Sequence, residues 1–360
     1  NIWVEIPEYP RASRAHNHPS KYLMRQLLNI FVYLSTLCDN QYKRNVFLNI
    51  FVYIISIMEY INLKNEFTPP NHKYNLLSCV IFKIETSYKN EMIYYNGLET
   101  IMNLFRKMFN DFYLRVYYDQ SLIDNNKDVE SKNRWKRLFD KHRGNKYIQF
   151  CKYEIPKLID PKTGNHIGLI GTIVRFLSLF DLKENDNINC VYITDVDIKK
   201  YGLEEQKKYY NTYIHKGADI FYVSRYCYSI QPRFNAIRKY YDDDVMRYPI
   251  MAGRIIMKIK LPVQILNDFF ECILDINGEK CKKHRSFAAL LFGEFYNQHV
   301  SNASGIVKYG IDEFFALDIL KYLKERNKKI LVFRQLDIEK IYYKFYTEWK
   351  NKLLSDDNFE

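Results

Sequence analysis

The sequence predicts an α/β fold, a mostly parallel central sheet with helices on both faces. Three observations predict it. Apolar β-type runs alternate with helix-period runs from Leu76 up to a fourth strand at residues 189–194. Two of those strands close on acids, at Asp119 and at Asp195, where ligands of such sheets bind. At 360 residues and 47% hydrophobic composition, the chain is long enough for one large domain or two ordinary ones with a sizeable core.

Residues 1 to about 20 are polar and carry Pro7, Pro10 and Pro19, which reads as an extended arm. The string Leu-Asn-Ile-Phe-Val-Tyr occurs at 28–33 and again at 48–53, and two copies are too few for a solenoid. Residues 62–75, with Pro69 and Pro70, break both periodicities and read as a linker. Residues 1–75 are therefore an N-terminal extension without an assigned role, and 76–350 the functional domain. Within it, 76–85 reads as a strand, 98–108 as an amphipathic helix and 112–118 as a strand closing on Asp119. A helix at 134–141, a strand at 147–153 and a nearly all-apolar helix at 168–180 follow. Beyond the acids come a helix at 203–215, a strand at 218–224, and a Gly-interrupted apolar run at 246–259. Helices at 261–274 and 286–297, a helix ending near Arg326, a strand at 329–333 and a Tyr-rich terminal helix complete the reading.

The centre of the pattern is residues 189–198, an apolar run ending on Asp195 and Asp197. In a strand, i and i+2 face one side, so both carboxylates aim at one object while Val196 turns into the core. Two carboxylates about 4 Å apart repel by roughly 4 kcal/mol at an effective dielectric near 20. They need a cation, a proton or open water. A divalent ion backed by phosphate satisfies both, and a solvated acidic turn is the plainer alternative.

The helix before the acids has one polar stripe, Thr172, Arg175 and Ser178, at intervals of three. An arginine amid apolar surface calls for an anion, whether a donor phosphate, a ribose partner or one of the aspartates; a stripe facing water is the alternative. Gly253 would let a backbone approach a ligand closely, or mark a bulge. Asp312 and Glu313 open a helix, where they serve as caps or as catalytic acids.

The net charge of +12 is spread along the chain without a basic cluster, so nucleic acid is not the expected partner. Seven cysteines without a C-x-x-C pair, mostly within apolar runs, read as reduced core residues of a cytoplasmic or other reducing compartment. The longest apolar run, 46–58, has 13 residues, too short for a membrane span, and a leader or anchor ahead of Asn1 stays open.

These residues together resemble glycosyltransferases of the GT-A fold, whose single Rossmann-like domain has a mixed, mostly parallel sheet and an Asp-x-Asp at the end of a central strand. The resemblance covers about 76–326 and rests on Arg115 to Leu122, Gly171 to Phe180, the Tyr-Ile-Thr-Asp-Val-Asp run, Ala252-Gly253 and Asp312-Glu313. Similar strings occur in glycosyltransferase-like proteins of large DNA viruses. The resemblance implies Mn²⁺ or Mg²⁺ held by Asp197 directly and by Asp195 through water, against the diphosphate of a UDP- or GDP-sugar. It implies Asp195, Arg175, Asp119, Thr172 and Gly253 as donor contacts, and Asp312 and Glu313 as the grip on the sugar or the base. The partners implied are a nucleotide sugar and a sugar acceptor. Two positions depart from the pattern: Met251 stands where retaining relatives have Asn, and no His follows Glu313 as a late metal ligand. A phosphatase of the haloacid dehalogenase type, with Asp195 as nucleophile, and an inactive sugar-binding scaffold are the competing readings.

Overall fold

The structure, a computed structural model, describes residues 60–83, 90–159, 169–225, 250–258, 260–274 and 311–335. The chain divides into two compact units, Asn1–Ser56 and Ile57–Glu360, and the fold below belongs to the second. The repeated string, the apolar run 46–58, the helix read at 286–297 and the terminal Tyr-rich helix lie outside the described residues.

Among the described residues eight strands form one sheet: β1 (Asn62–Asn65), β2 (Tyr74–Ile81), β3 (Phe112–Asp119), β4 (Ile148–Glu154), β5 (Ile188–Thr194), β6 (Ile220–Arg225), β7 (Ile250–Met257) and β8 (Ile330–Gln335). Their spatial order is β1-β4-β3-β2-β5-β7-β6-β8. The fold is α/β around one mixed sheet. Four pairings are parallel, β2 with β3 and β5, β3 with β4, and β6 with β8; β1 with β4 and β7 with β5 and β6 are antiparallel. The linker reading changes, because 62–65 is an edge strand and the sheet begins there, not at Leu76. Its polar Asn-Leu-Lys-Asn run, mostly exposed, gives no hydrophobic alternation to read.

The parallel strands β2 to β5 are buried on both faces, and β2 is buried at all eight residues. On one face lie α1 (Glu91–Met108), α2 (Val129–Arg143) and α3 (Lys200–Lys216). Leu98, Ile101 and Phe105 of α1, Trp135 and Phe139 of α2, and Leu203 and Tyr209 of α3 join Leu77, Cys79 and Ile81 of β2 in one core. Local signals set their ends. Asn90 caps α1 by accepting from Met92 N (2.7 Å), Asp128 caps α2, and Gly217 (φ 60°) closes α3 in the left-handed region that glycine alone adopts without cost.

The opposite face carries α4 (Gln264–Leu274), α5 (Ile311–Lys324) and a ten-residue 3₁₀ helix, Ile170–Leu179, with Phe315 of α5 against Phe176, Phe180 and Phe269. The run read as an α-helix at 168–180 is thus wound with three residues per turn. Side chains at i and i+3 eclipse in that winding, so the polar stripe of Thr172, Arg175 and Ser178 becomes a straight row. The row faces the sheet rather than water: Ser178 Oγ lies 3.1 Å from Ser78 Oγ and 3.0 Å from the Tyr117 hydroxyl.

Candidate active site

Strands β2 to β5 run the same way, so Ile81, Asp119, Glu154 and Thr194 end at one edge of the sheet. β5 stops at Thr194, and Asp195 and Asp197 sit in the turn between β5 and α3. Strand alternation therefore does not set their direction, although Val196 is buried in the core as expected. The pairing of Thr194 with Arg254 brings Gly253 alongside Asp195. A Cβ at Gly253 would lie 2.0 Å from Asp195 Oδ2, so any larger residue would displace that carboxylate from its present position.

Of the anions that serve a buried arginine, the structure supplies two aspartates. Arg175 Nη1 donates to Asp195 Oδ1 and Nη2 donates to Asp312 Oδ2, one acid from each predicted pair. The guanidinium is 5% exposed, Asp312 10% and Asp195 41%, so Asp195 is the member that opens to solvent. Burial alone would lower the Arg175 pKa; the charges of Asp195 and Asp312, with Glu313 behind them, override it and raise the value. Arg175 Nε is buried and has no hydrogen-bond partner among the described residues.

Asp312 falls one residue inside α5, where a negative charge favours the helix dipole. Its Oδ1 accepts from the Glu313 backbone N–H at 3.2 Å. The Glu313 carboxyl is held well above the usual carboxylate range, first by burial, then by the neighbouring Asp312 charge and a hydrogen bond to it, with Arg175 pulling partly the other way. Glu313 thus favours its protonated form. Arg254, the next cation, pairs with Glu205 at 3.2 Å and also feels the charge of Asp195.

The structure brings Asp195, Arg175, Asp312, Glu313 and Gly253 together, with Asp197 partly exposed in the same turn. Asp119 lies apart from them, and Thr172 stands one 3₁₀ turn before Arg175. Asp119 ends β3, two strands from β5, is 2% exposed and accepts from Ser121 N at 3.2 Å. Thr172 Oγ1 donates to Leu169 O at 2.8 Å. Sequence reasoning missed Gly97, Thr194 and Gln206, which contact the acid turn from behind. A glycine inside a helical pattern was the available signal for Gly97.

Among the described residues no three His, Cys, Asp or Glu side chains form a ready metal cage. Two neighbouring carboxylates with an open side suit a hard cation that completes its shell with phosphate and water. No family model matches the chain, and no curated protein matches it either. No helix among the described residues is long and apolar enough to cross a membrane.

Proposed function

We propose that the chain is a metal-dependent glycosyltransferase of the GT-A type, moving a sugar from a nucleotide-sugar donor to an acceptor. The observation that carries this reading is the Arg175 bridge, which joins the acid turn after β5 to the acid pair of α5 at the ligand-binding edge of an α/β sheet. Asp197 with Asp195, both partly exposed in one turn, would hold Mn²⁺ or Mg²⁺. When bound, the cation would supply positive charge to a departing nucleoside diphosphate.

The protein's own groups have separable tasks in this reading. Asp195, fixed by Arg175 and by the space at Gly253, accepts hydrogen bonds from ribose or sugar hydroxyls. Asp312, held by the Arg175 guanidinium, accepts a proton from the acceptor hydroxyl or grips the sugar. Glu313 holds its proton, which leaves it a donor and not a base. The nucleoside would extend along the strand ends toward Asp119. A phosphatase reading needs Asp195 free to attack phosphorus, and its hold on Arg175 disfavours that.

A panel of UDP- and GDP-sugars, each with Mn²⁺ or Mg²⁺ and scored by nucleotide release, tests the proposal. One donor should be hydrolysed or transferred only with metal, and Asp197→Ala should abolish the release. Silence across the panel would sink the transferase reading. A covalent aspartyl phosphate on Asp195 would replace it with the dehalogenase chemistry.

A further inference from the structure

Three residues outside the Arg175 bridge pack against the back of the acid turn. Gly97 lies in the interior of α1, where glycine costs roughly 1 kcal/mol relative to alanine. A Cβ there would lie 1.8 Å from the Val196 carbonyl oxygen and 3.1 Å from Asp197 Cα. Helix α1 therefore meets the peptide between the two acids backbone to backbone. From α3, Gln206 Nε2 donates to Thr194 Oγ1 at 2.8 Å, and that hydroxyl donates to the Asp195 carbonyl at 3.0 Å. Both side chains are buried, Thr194 at 0% and Gln206 at 1% exposure.

We propose that Gly97 and the Gln206–Thr194 pair are positioning residues, which fix the peptide planes of the acid turn and so the direction in which Asp197 leaves it. The peptide unit is planar, so a wall behind the Val196 carbonyl also orients the Asp197 N–H and Cα. The hydrogen bond to the Asp195 carbonyl fixes the preceding peptide plane, between Asp195 and Val196. Affinity at such a site depends on this kind of support, because ligands left an ångström loose bind poorly. The part of the inference that concerns cation affinity rests on the proposed function; the part that concerns the geometry of the turn does not.

Gly202 supplies an internal control. It stands in the first turn of α3, and a Cβ there would meet Ile198 Cβ at 3.5 Å, an ordinary contact. Gly97→Ala and Gly202→Ala are thus the same helical substitution with opposite steric consequences. Thr194→Val removes the linking hydroxyl and keeps the side-chain shape, and it decides the question if Gly97→Ala fails to fold.

The experiment is hydrogen–deuterium exchange by mass spectrometry on the full chain, followed by Mn²⁺ titration read from the electron paramagnetic resonance signal of the free ion. Gly97→Ala and Thr194→Val should accelerate exchange at 195–198 and weaken Mn²⁺ binding by about tenfold or more. Gly202→Ala should change neither. Unaltered exchange and Mn²⁺ affinity in Thr194→Val, or in a folded Gly97→Ala, overturns the inference. A wild-type chain that binds no Mn²⁺ would instead count against the proposed function, and the exchange data would still decide whether these residues set the turn.

Discussion

Arg175 gives both ends of its guanidinium to carboxylates that are 137 and 20 residues away in the chain. Removing one member of a buried pair leaves uncompensated charge, which costs about 3–5 kcal/mol when both partners are enclosed. Asp195 is partly solvated, so Arg175→Met should lose about 3 kcal/mol, the low end, in urea denaturation. Arg175→Lys should not restore it, since one ammonium cannot fork to two acids. Glu313 predicts a pH effect of defined sign. Below its ordinary value of 4.5 the carboxyl is protonated whether the chain is folded or unfolded, so it carries no penalty. Above that, the unfolded chain releases the proton while the folded chain retains it. Stability then falls with rising pH, by up to about 1.4 kcal/mol per unit, until the folded carboxyl titrates. Glu313→Gln should erase this loss, with melting temperatures equal near about pH 4 and higher than wild type near about pH 7.

The 3₁₀ helix connects the candidate site to a buried polar network beneath it. Arg115, 1% exposed, has no carboxylate among the partners seen here and is satisfied by neutral oxygens, among them Gln149 Oε1 at 2.9 Å and Asn185 Oδ1 at 2.6 Å. Asn185 also donates to Leu177 O and Phe180 O, at 2.9 and 3.0 Å, and so closes the end of the 3₁₀ helix. Asn185→Leu removes a second donor from two carbonyls that each keep a backbone N–H and takes an acceptor from the Arg115 guanidinium, and denaturant unfolding should register a loss of about 1–3 kcal/mol. The elements differ in how far the sequence revealed them. β3 to β6 and β8 were readable within about two residues at most ends because their apolar runs are bounded by polar turns. α1 begins at Glu91, seven residues before its expected start, because Asn96 and Gly97 look like a break where they are a close approach. The stripe of three polar residues was visible, and its period was the clue to 3₁₀ winding, but the apolar run around it has the look of an α-helix. The antiparallel direction of β7 depends on which strands it lies between, which no local pattern encodes.

For the molecule as a whole, topology produces the site. The acid turn is fixed by residues from α1, α3 and β7, and its counter-charge comes from the 3₁₀ helix on the opposite face of the sheet from α1 and α3. The acid pattern at 195–197 and the pair at 312–313 were each legible separately. That Arg175 joins them was not, because the link spans the chain and a distance in sequence says nothing of an encounter in space. Cys79, Cys151 and Cys190 are free and buried, as the sequence led one to expect, and Cys272 is buried; Cys38, Cys227 and Cys281 lie outside the described residues. Burial pushes Cys79, Cys151 and Cys190 up to about 12. The central claim is that these acids form one cation-dependent nucleotide site, and calorimetric titration of UDP and GDP into the full chain tests it most directly. One nucleotide should bind in the presence of Mn²⁺, fail to bind in EDTA, and fail with Asp197→Ala. Absence of binding under every condition, or binding that survives both EDTA and Asp197→Ala, would contradict it.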